Sequence, residues 1–259
     1  MVQDAKSAVR TESRRLRGKL ELVLPALLAT DRRLLGHPGL RALYPEYLVM
    51  THGVIRASVP LMETALATAR TLQDDPVAVL LTDYLEHHIP EERGHDAWLL
   101  EDLESLGVPR DRVLGRVPSP TIAALVGAQY YWMQHVHPVG LLGYMALLEG
   151  YPPSPQDIDW VQATTGYGPA AFRTLRLHAD LDPHHRNDLA DLLDSLPLTE
   201  QQRTLIGLSA ITSVELLTQA HEELLGTSRR PQNPRSTAGG EGSSNLRPQT
   251  ALATASGLA

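Results

Sequence analysis

A carboxylate and an imidazole three residues apart, Glu92 and His95, stand in the stretch HIPEERGHDAWLLEDL. Residues three apart share a helix face, so both side chains could reach one ion. The plain alternative is a solvated or salt-bridged face, because acids and histidines meet at that spacing by chance. A second stretch, HADLDPHH, offers His178, Asp182 and His185 at steps of four and three. At 3.6 residues per turn the three return to nearly the same azimuth. Two imidazoles and a carboxylate, with no thiolate, suit iron held with positions left open for O2 and substrate. Here the alternative is Asp182 as an N-cap before a first-turn Pro183, with surface histidines, and His184 could stand in for His185. Third, Glu149 closes LLGYMALLEG beside an apolar face formed by residues 141, 142, 145 and 148. A carboxylate at a helix C-terminus opposes the dipole, and one at the margin of a buried helix needs a partner. Three carboxylates and three histidines together make the inventory of a site for two metal ions.

Other residues could join them. His88 shares a face with Glu92 and His95 and is a candidate for support behind the ligands or for a ligand. Glu91 is an additional or alternative carboxylate, and Glu63 on the preceding helix is either a further acid or half of a surface ion pair. His52 and Arg56 lie four apart in a mostly apolar helix, where the arginine could clamp a substrate carboxylate or pair at the rim. Tyr130, Tyr131, His135 and His137 form a cluster that could line a pocket, with packing the simpler role for the tyrosines. Tyr144 is close enough to Glu149 for a hydrogen bond.

The elements that must position these groups read as helices. Helical spacing of apolar residues runs over 44–72 with a kink expected at Pro60, over 75–106 as one long helix or a pair broken near Pro90, and over 119–150 with a break near Pro138. A helix is expected from about Ser154, shorter ones over 168–178 and 183–195, and a long amphipathic one over 198–225 after PLTEQQ. No run alternates long enough for a strand, so the class is all-α. Pro183 removes an amide donor and disfavours helical geometry at Asp182. The segment 178–186 is therefore expected to be marginally helical and to order with the second metal, leaving one site firm and one labile.

Of the 259 residues, 1–227 form the expected helical domain, enough for a full core. Residues 228–259 turn to Arg, Pro, Gly, Ser, Asn and Thr without apolar periodicity and are expected to be disordered; residues 1 to about 12 are expected to fray. The net charge is −7, and the tail carries four arginines against one glutamate, so the body is more acidic still. Such a body disfavours nucleic acid and points to a small-molecule partner. Cysteine is absent, which excludes disulfides, zinc-thiolate sites and a thiol nucleophile. The charged N-terminus has no signal-type apolar run and no stretch approaches a membrane span, so no membrane and a cytoplasmic location are expected.

The stretches EHHIPEERGHDAWLLEDL, YYWMQHVHPVGLLGYMALLEG and LRLHADLDPHH, in this order between about Tyr44 and Leu225, resemble the haem-oxygenase-like diiron oxidases and oxygenases, the iron-containing redox enzymes. The family pattern of Glu-x-x-His, an isolated Glu, then His-x-x-x-Asp-x-x-His falls on Glu92 and His95, on Glu149, and on His178, Asp182 and His185, with none substituted. The resemblance implies a seven-helix haem-oxygenase-like bundle that binds two Fe(II) ions, takes O2 as co-substrate and oxidises a small molecule in specialised metabolism. A free amino acid undergoing hydrogen abstraction, with desaturation, cyclisation or C–C cleavage, is the expected substrate. N-oxygenation of an amine and metal or ligand binding without turnover are the alternatives. An external electron donor and a homodimer are compatible with this resemblance. Thiaminase-type chemistry lacks its cysteine, haem degradation needs no carboxylate set, and ferritin-like diiron proteins repeat a Glu-x-x-His pair that this chain shows once.

Overall fold

Caps and prolines punctuate the chain in the computed structural model, which describes residues 11–227. The expected disordered tail, 228–259, and the first ten residues lie outside the described residues. Thr11 accepts from the Arg14 amide and opens α1, Glu12–Leu35, a helix whose polar first half, ESRRLRGKLE, hid it from the sequence reading. Three helices start with an acceptor side chain followed by proline: Asp75 opens α3 (Pro76–Glu92), Ser119 opens α6 (Pro120–His135) and Ser154 opens α8 (Pro155–Thr165). At each of these starts the cap satisfies an orphan amide, and the proline costs nothing because its amide would be unpaired anyway.

The remaining helices are α2 (Leu40–Ala69), α4 (His95–Ser105), α5 (Arg110–Leu114), α7 (Leu141–Leu148), α9 (Arg173–Ser195) and α10 (Glu200–Thr227). No strand occurs among the described residues. Among the described residues nine helices have eight or more residues and α5 adds a single turn, so the seven expected are too few. The surplus comes from breaks. Arg93 and Gly94 separate α3 from α4, and a 3-10 turn at Pro138–Gly140 separates α6 from α7.

Two expectations about breaks are corrected. Pro90 does not interrupt its helix but lies in the last turn of α3, and the break falls at Gly94, whose φ of 93° is left-handed. Conversely, 178–186 is not divided. It lies inside the continuous α9, with Asp182 in mid-helix rather than at an N-cap. Pro183 cannot donate to the Ala179 carbonyl, and packing on both sides of that lost bond holds the helix together.

Packing then assembles the ligand-bearing pieces. α10 runs against α1, α6 and α7, while α9 packs on α1 and α4 and touches α3 and α7. Fully buried leucines such as Leu61, Leu81, Leu85 and Leu142 fill the main core, each stabilising the fold by roughly 1.5–3 kcal/mol. A second cluster gathers Tyr44, Leu48, Leu99, Leu103 and Phe172 beneath α4 and the start of α9. Gly143 allows α7 to lie on α10 with no gap, since a Cβ there would stand 2.2 Å from the Ile206 carbonyl oxygen.

Candidate metal centre

Four helices converge with their polar residues inward. From α3 come His88 and Glu92, four apart; His95 is the first residue of α4; Glu149 caps α7; and α9 presents His178, Asp182 and His185. The Glu92–His95 pair thus does not share one helix face, as its spacing suggested. It straddles a break, and the left-handed Gly94 turns His95 back toward Glu92. Gly94 has open space around it, so its conformation, not crowding, selects glycine.

The donor atoms form two trios, Glu92 with His95 and His178, and His88 with Glu149 and His185, each within 4.8 Å of one another. Glu92 faces both. Its Oε2 is 3.1 Å from His95 Nδ1 and its Oε1 is 3.2 Å from His185 Nδ1. In the second trio, His88 Nε2 hydrogen-bonds Glu149 Oε1 at 3.1 Å. Donors bound at about 2.1 Å to a common ion sit roughly 3–3.5 Å apart, the spacing found here.

Direction matters as much as distance. Neither His95 Nδ1 nor His185 Nδ1 hydrogen-bonds, although each lies beside a Glu92 oxygen, and Glu149 Oε2 is likewise buried without a partner among the described residues. An unpaired buried polar atom costs about 1–3 kcal/mol. Three of them around one space are what a bound cation would satisfy, so the residues present fit a metal centre.

Charge supports the same reading. Burial works to raise the Glu92 carboxyl, but the contacts with His185 and His95 hold it well below the usual carboxylate range. Glu149 goes the other way, raised by burial against the pull of His88. Asp182 is pushed up to about 8 by burial and then by the negative charges of Glu149 and Glu92. Burial lowers His178, whereas the contact with Glu92 raises His185. Burial and neighbouring negative charge thus favour the protonated forms of Glu149 and Asp182, while Glu92 is favoured as the carboxylate.

Behind the trios, His178 Nδ1 donates to the Thr174 carbonyl at 2.9 Å, which fixes the tautomer and leaves Nε2 as a bare acceptor. The Thr174 amide in turn donates to Asp102 Oδ2 at 2.9 Å, so a carboxylate that is 0% exposed anchors the first turn of α9. Trp98 stacks on His95 and Tyr84 on His88, fixing both ring planes. Asp102 escaped the sequence reading, yet its signal was there: an acid between Leu99 and Leu106, on the buried side of a helix.

Beside the trios lies a cavity of ≈ 250 Å³, with Glu92, Glu149, His178 and Asp182 in its wall and apolar groups such as Met50, Val54 and Met145 opposite them in character. Tyr144 lines it too, but its buried hydroxyl has no hydrogen-bond partner among the described residues, so the expected bond to Glu149 is not made. Glu91 is half exposed and flanks the second trio, 3.5 Å from His88 Nδ1 and 3.8 Å from His185 Nε2. Asp182 is buried near both trios and belongs to neither.

Other candidates lie elsewhere. Glu63 pairs with Arg93 at the surface at 2.7 Å, and exposed His184 pairs with Asp188, leaving His185 as the inward histidine. Arg56 is exposed and His52 is buried, and neither lines the cavity, so among the described residues no arginine clamps a substrate there. Tyr130, Tyr131, His135 and His137 are also absent from its wall. His137 instead bonds Asp75 Oδ2 and the Val139 amide, tying the 3-10 turn to the start of α3.

Comparison with known proteins adds an independent line. The model of a family described as "Iron-containing redox enzyme" matches residues 55–217. Among solved structures, a domain of unknown function with a heme oxygenase-like fold from Shewanella denitrificans OS217 is similar, with a TM-score of 0.69, 21% identity, and 83% of this chain and 90% of that chain covered. A TenA homolog from Pseudomonas syringae pv. tomato str. DC3000 is also similar, at a TM-score of 0.57 and 13% identity, with 80% and 92% covered. No curated protein matches. At these identities the likeness to solved structures shows the heme oxygenase-like fold and nothing finer. No helix among the described residues is long and apolar enough to cross a membrane.

Proposed function

Because this chain belongs to the iron-containing redox enzyme family, we propose that it is a non-haem diiron, O2-dependent oxidoreductase acting on a small molecule held in the ≈ 250 Å³ cavity. One observation carries the reading: two trios of buried or partly buried donors stand side by side, Glu92 of the first reaching His185 of the second, and include three atoms that lack hydrogen-bond partners among the described residues. Glu92, His95 and His178 would hold one ion, and His88, Glu149 and His185 the other, with Asp182 and Glu91 at hand as further carboxylates. Bound ferrous ions would supply the electrons that reduce O2 and so make an unactivated C–H bond oxidisable.

The chain's own residues do the rest. Leucine and methionine side chains in the cavity wall exclude water and leave a substrate carbon facing Glu92, Glu149 and His178. Asp182, pushed up to about 8, holds a proton at its carboxyl in the metal-free protein near neutral pH and can pass it on when the local charge changes. His178, its tautomer fixed by Thr174, offers Nε2 without rearrangement. Hydrogen abstraction ending in desaturation, cyclisation or C–C cleavage is the reaction this setting suits. A free amino acid as substrate loses its main support, since Arg56 lies outside the cavity.

Anaerobic titration with Fe(II), followed by O2 exposure with and without a small-molecule panel, tests the proposal. About two irons per chain and O2 uptake accelerated by one compound are expected. Fewer than one iron, or bound iron inert to O2 under every condition, would leave a binding protein and sink the proposal.

A further inference from the structure

The same cavity has a second polar patch that the metal centre does not use. His221 on α10 is buried, and its Nδ1 lies 2.6 Å from Oδ1 of Asp31 on α1, whose side chain is 33% exposed. Both residues line the cavity, as do Tyr47 and Thr51. Because the carboxylate can only accept, His221 Nδ1–H is the donor, and its Nε2 is left over. Among the described residues no hydrogen bond engages that Nε2, and no hydrogen bond or ion pair links the Asp31–His221 pair to either donor trio.

A pair of this kind has a restricted range of charge. With Asp31 ionised, the pair offers a net negative charge or none, and no positive one. No lysine or arginine of the described residues lines the cavity to alter this balance. The Tyr47 ring stands 5.8 Å from the His221 ring and adds an aromatic edge to the patch. The Tyr47 hydroxyl, pushed up to about 12 by burial and the Asp31 charge, stays neutral. The rest of the wall is mostly leucine, methionine, valine, isoleucine and proline, with Ser58, Tyr144 and Tyr151 among them. A carboxylate head group would find no compensating cation at this patch, whereas an ammonium would find an anionic oxygen, an imidazole acceptor and an aromatic ring.

We propose that Asp31 and His221 form a head-group subsite that binds the protonated amine of an elongated, mostly apolar substrate while its chain lies along the cavity toward Glu92 and Glu149. This rests on the reading that the cavity is the substrate site. Asp31 supplies the charge, and His221, held by Asp31, accepts an ammonium N–H at Nε2. The reacting carbon would then be chosen by chain length, since the head is fixed at one place and the donor trios at another.

Calorimetric titration of the iron-loaded protein under anaerobic conditions tests this with three probes of equal chain length: hexylamine, hexan-1-ol and hexanoate. At neutral pH hexylamine is protonated and has no lone pair to offer a metal. Hexylamine is expected to bind at least about tenfold more tightly than hexan-1-ol, and Asp31→Asn to remove that advantage while leaving hexan-1-ol affinity and iron content unchanged. His221→Gln should weaken hexylamine by a smaller factor. Equal affinity of the wild-type protein for hexylamine and hexan-1-ol would overturn the proposal even if neither variant folds. Hexylamine binding indifferent to a folded Asp31→Asn variant would overturn it as well. Repeating the titration on metal-free protein separates the two readings. An Asp31-dependent preference for the amine in a chain that takes up no iron would keep the subsite and sink the diiron enzyme; two irons with no amine preference would do the reverse.

Discussion

His88–His95 and His178–His185 face each other across the candidate metal centre and are built on opposite plans. The first bends. It leaves α3 at Glu92, turns through extended Arg93 and left-handed Gly94, and re-enters a helix at His95. The second runs straight through Pro183 within α9, on a first turn anchored by buried Asp102. In the bent arm the backbone conformation of one residue brings the donors together. In the straight arm helical periodicity aligns them, and the anchor sets where the helix sits. Two donor sets of similar composition therefore depend on different single points of the structure.

The largest difference should appear when a shared residue is compared with an unshared one. Glu92 faces both trios, so Glu92→Ala is expected to empty both, giving iron well below one per chain, whereas His178→Ala should leave about one. Equal stoichiometry in the two variants would mean that Glu92 does not bridge the arms.

Protonation gives the next effect. On the bent arm Glu92 is held low, while on the straight arm Asp182 is pushed up to about 8 from an ordinary value of 3.8. A folded-state value above the unfolded one means that folded chains keep a proton which unfolded chains release between about pH 4 and 8. The Asp182 contribution therefore makes metal-free protein lose stability as pH rises through that window. Thermal melts of the metal-free protein from pH 5 to 8 should show the fall, and Asp182→Asn should flatten it. A melting temperature that rises equally in both would refute the assignment.

Asp102→Ala tests the anchor. It strands the Thr174 amide, at a cost of about 1–3 kcal/mol, and loosens the carbonyl that orients His178. Iron affinity at that trio is expected to fall about 10–100-fold, the usual penalty for losing such a support, with the other trio little changed. Stability lost with iron affinity intact would make Asp102 a folding residue only.

Smallest is a pair of alanine substitutions with opposite signs. Gly94→Ala forces a left-handed side chain and should cost about 1–2 kcal/mol, lowering the melting temperature by roughly 2–4 °C per kcal/mol. Pro183→Ala restores a donor to the Ala179 carbonyl and should stabilise α9 by about 1 kcal/mol. If both substitutions destabilise, α9 needs its proline and the contrast between the arms fails.

Much of this was legible in residue spacing. The steps of four and three at His178, Asp182 and His185 aligned them because α9 is unbroken, and His88 was visible as the neighbour four before Glu92. The break at Gly94 was not legible, because a glycine within a charged helical pattern costs only about 1 kcal/mol and does not by itself stop a helix. Pro183 misled for the converse reason. Packing of Leu189 and Leu193 on the core, and Asp102 at the other end, outweigh one lost hydrogen bond. Arg56 illustrates a further limit: periodicity places a residue on a helix, but a residue near the edge of an apolar face can turn to solvent, as this one does. Which side chains wall the cavity depends on pairings between distant helices, and no local pattern encodes those.

Gly143 bears on how related sequences should be read. A Cβ there would stand 2.2 Å from the Ile206 carbonyl oxygen and 2.7 Å from the Ala210 amide nitrogen, both rigid backbone. Any other residue must wedge α7 off α10, and Glu149, six positions on, travels with α7. A homologue with every candidate ligand in place but a larger residue at this position would keep the inventory and lose the alignment. Counting ligands in such a chain would overstate its competence. This glycine, which offers no donor atom, belongs in the signature beside the histidines.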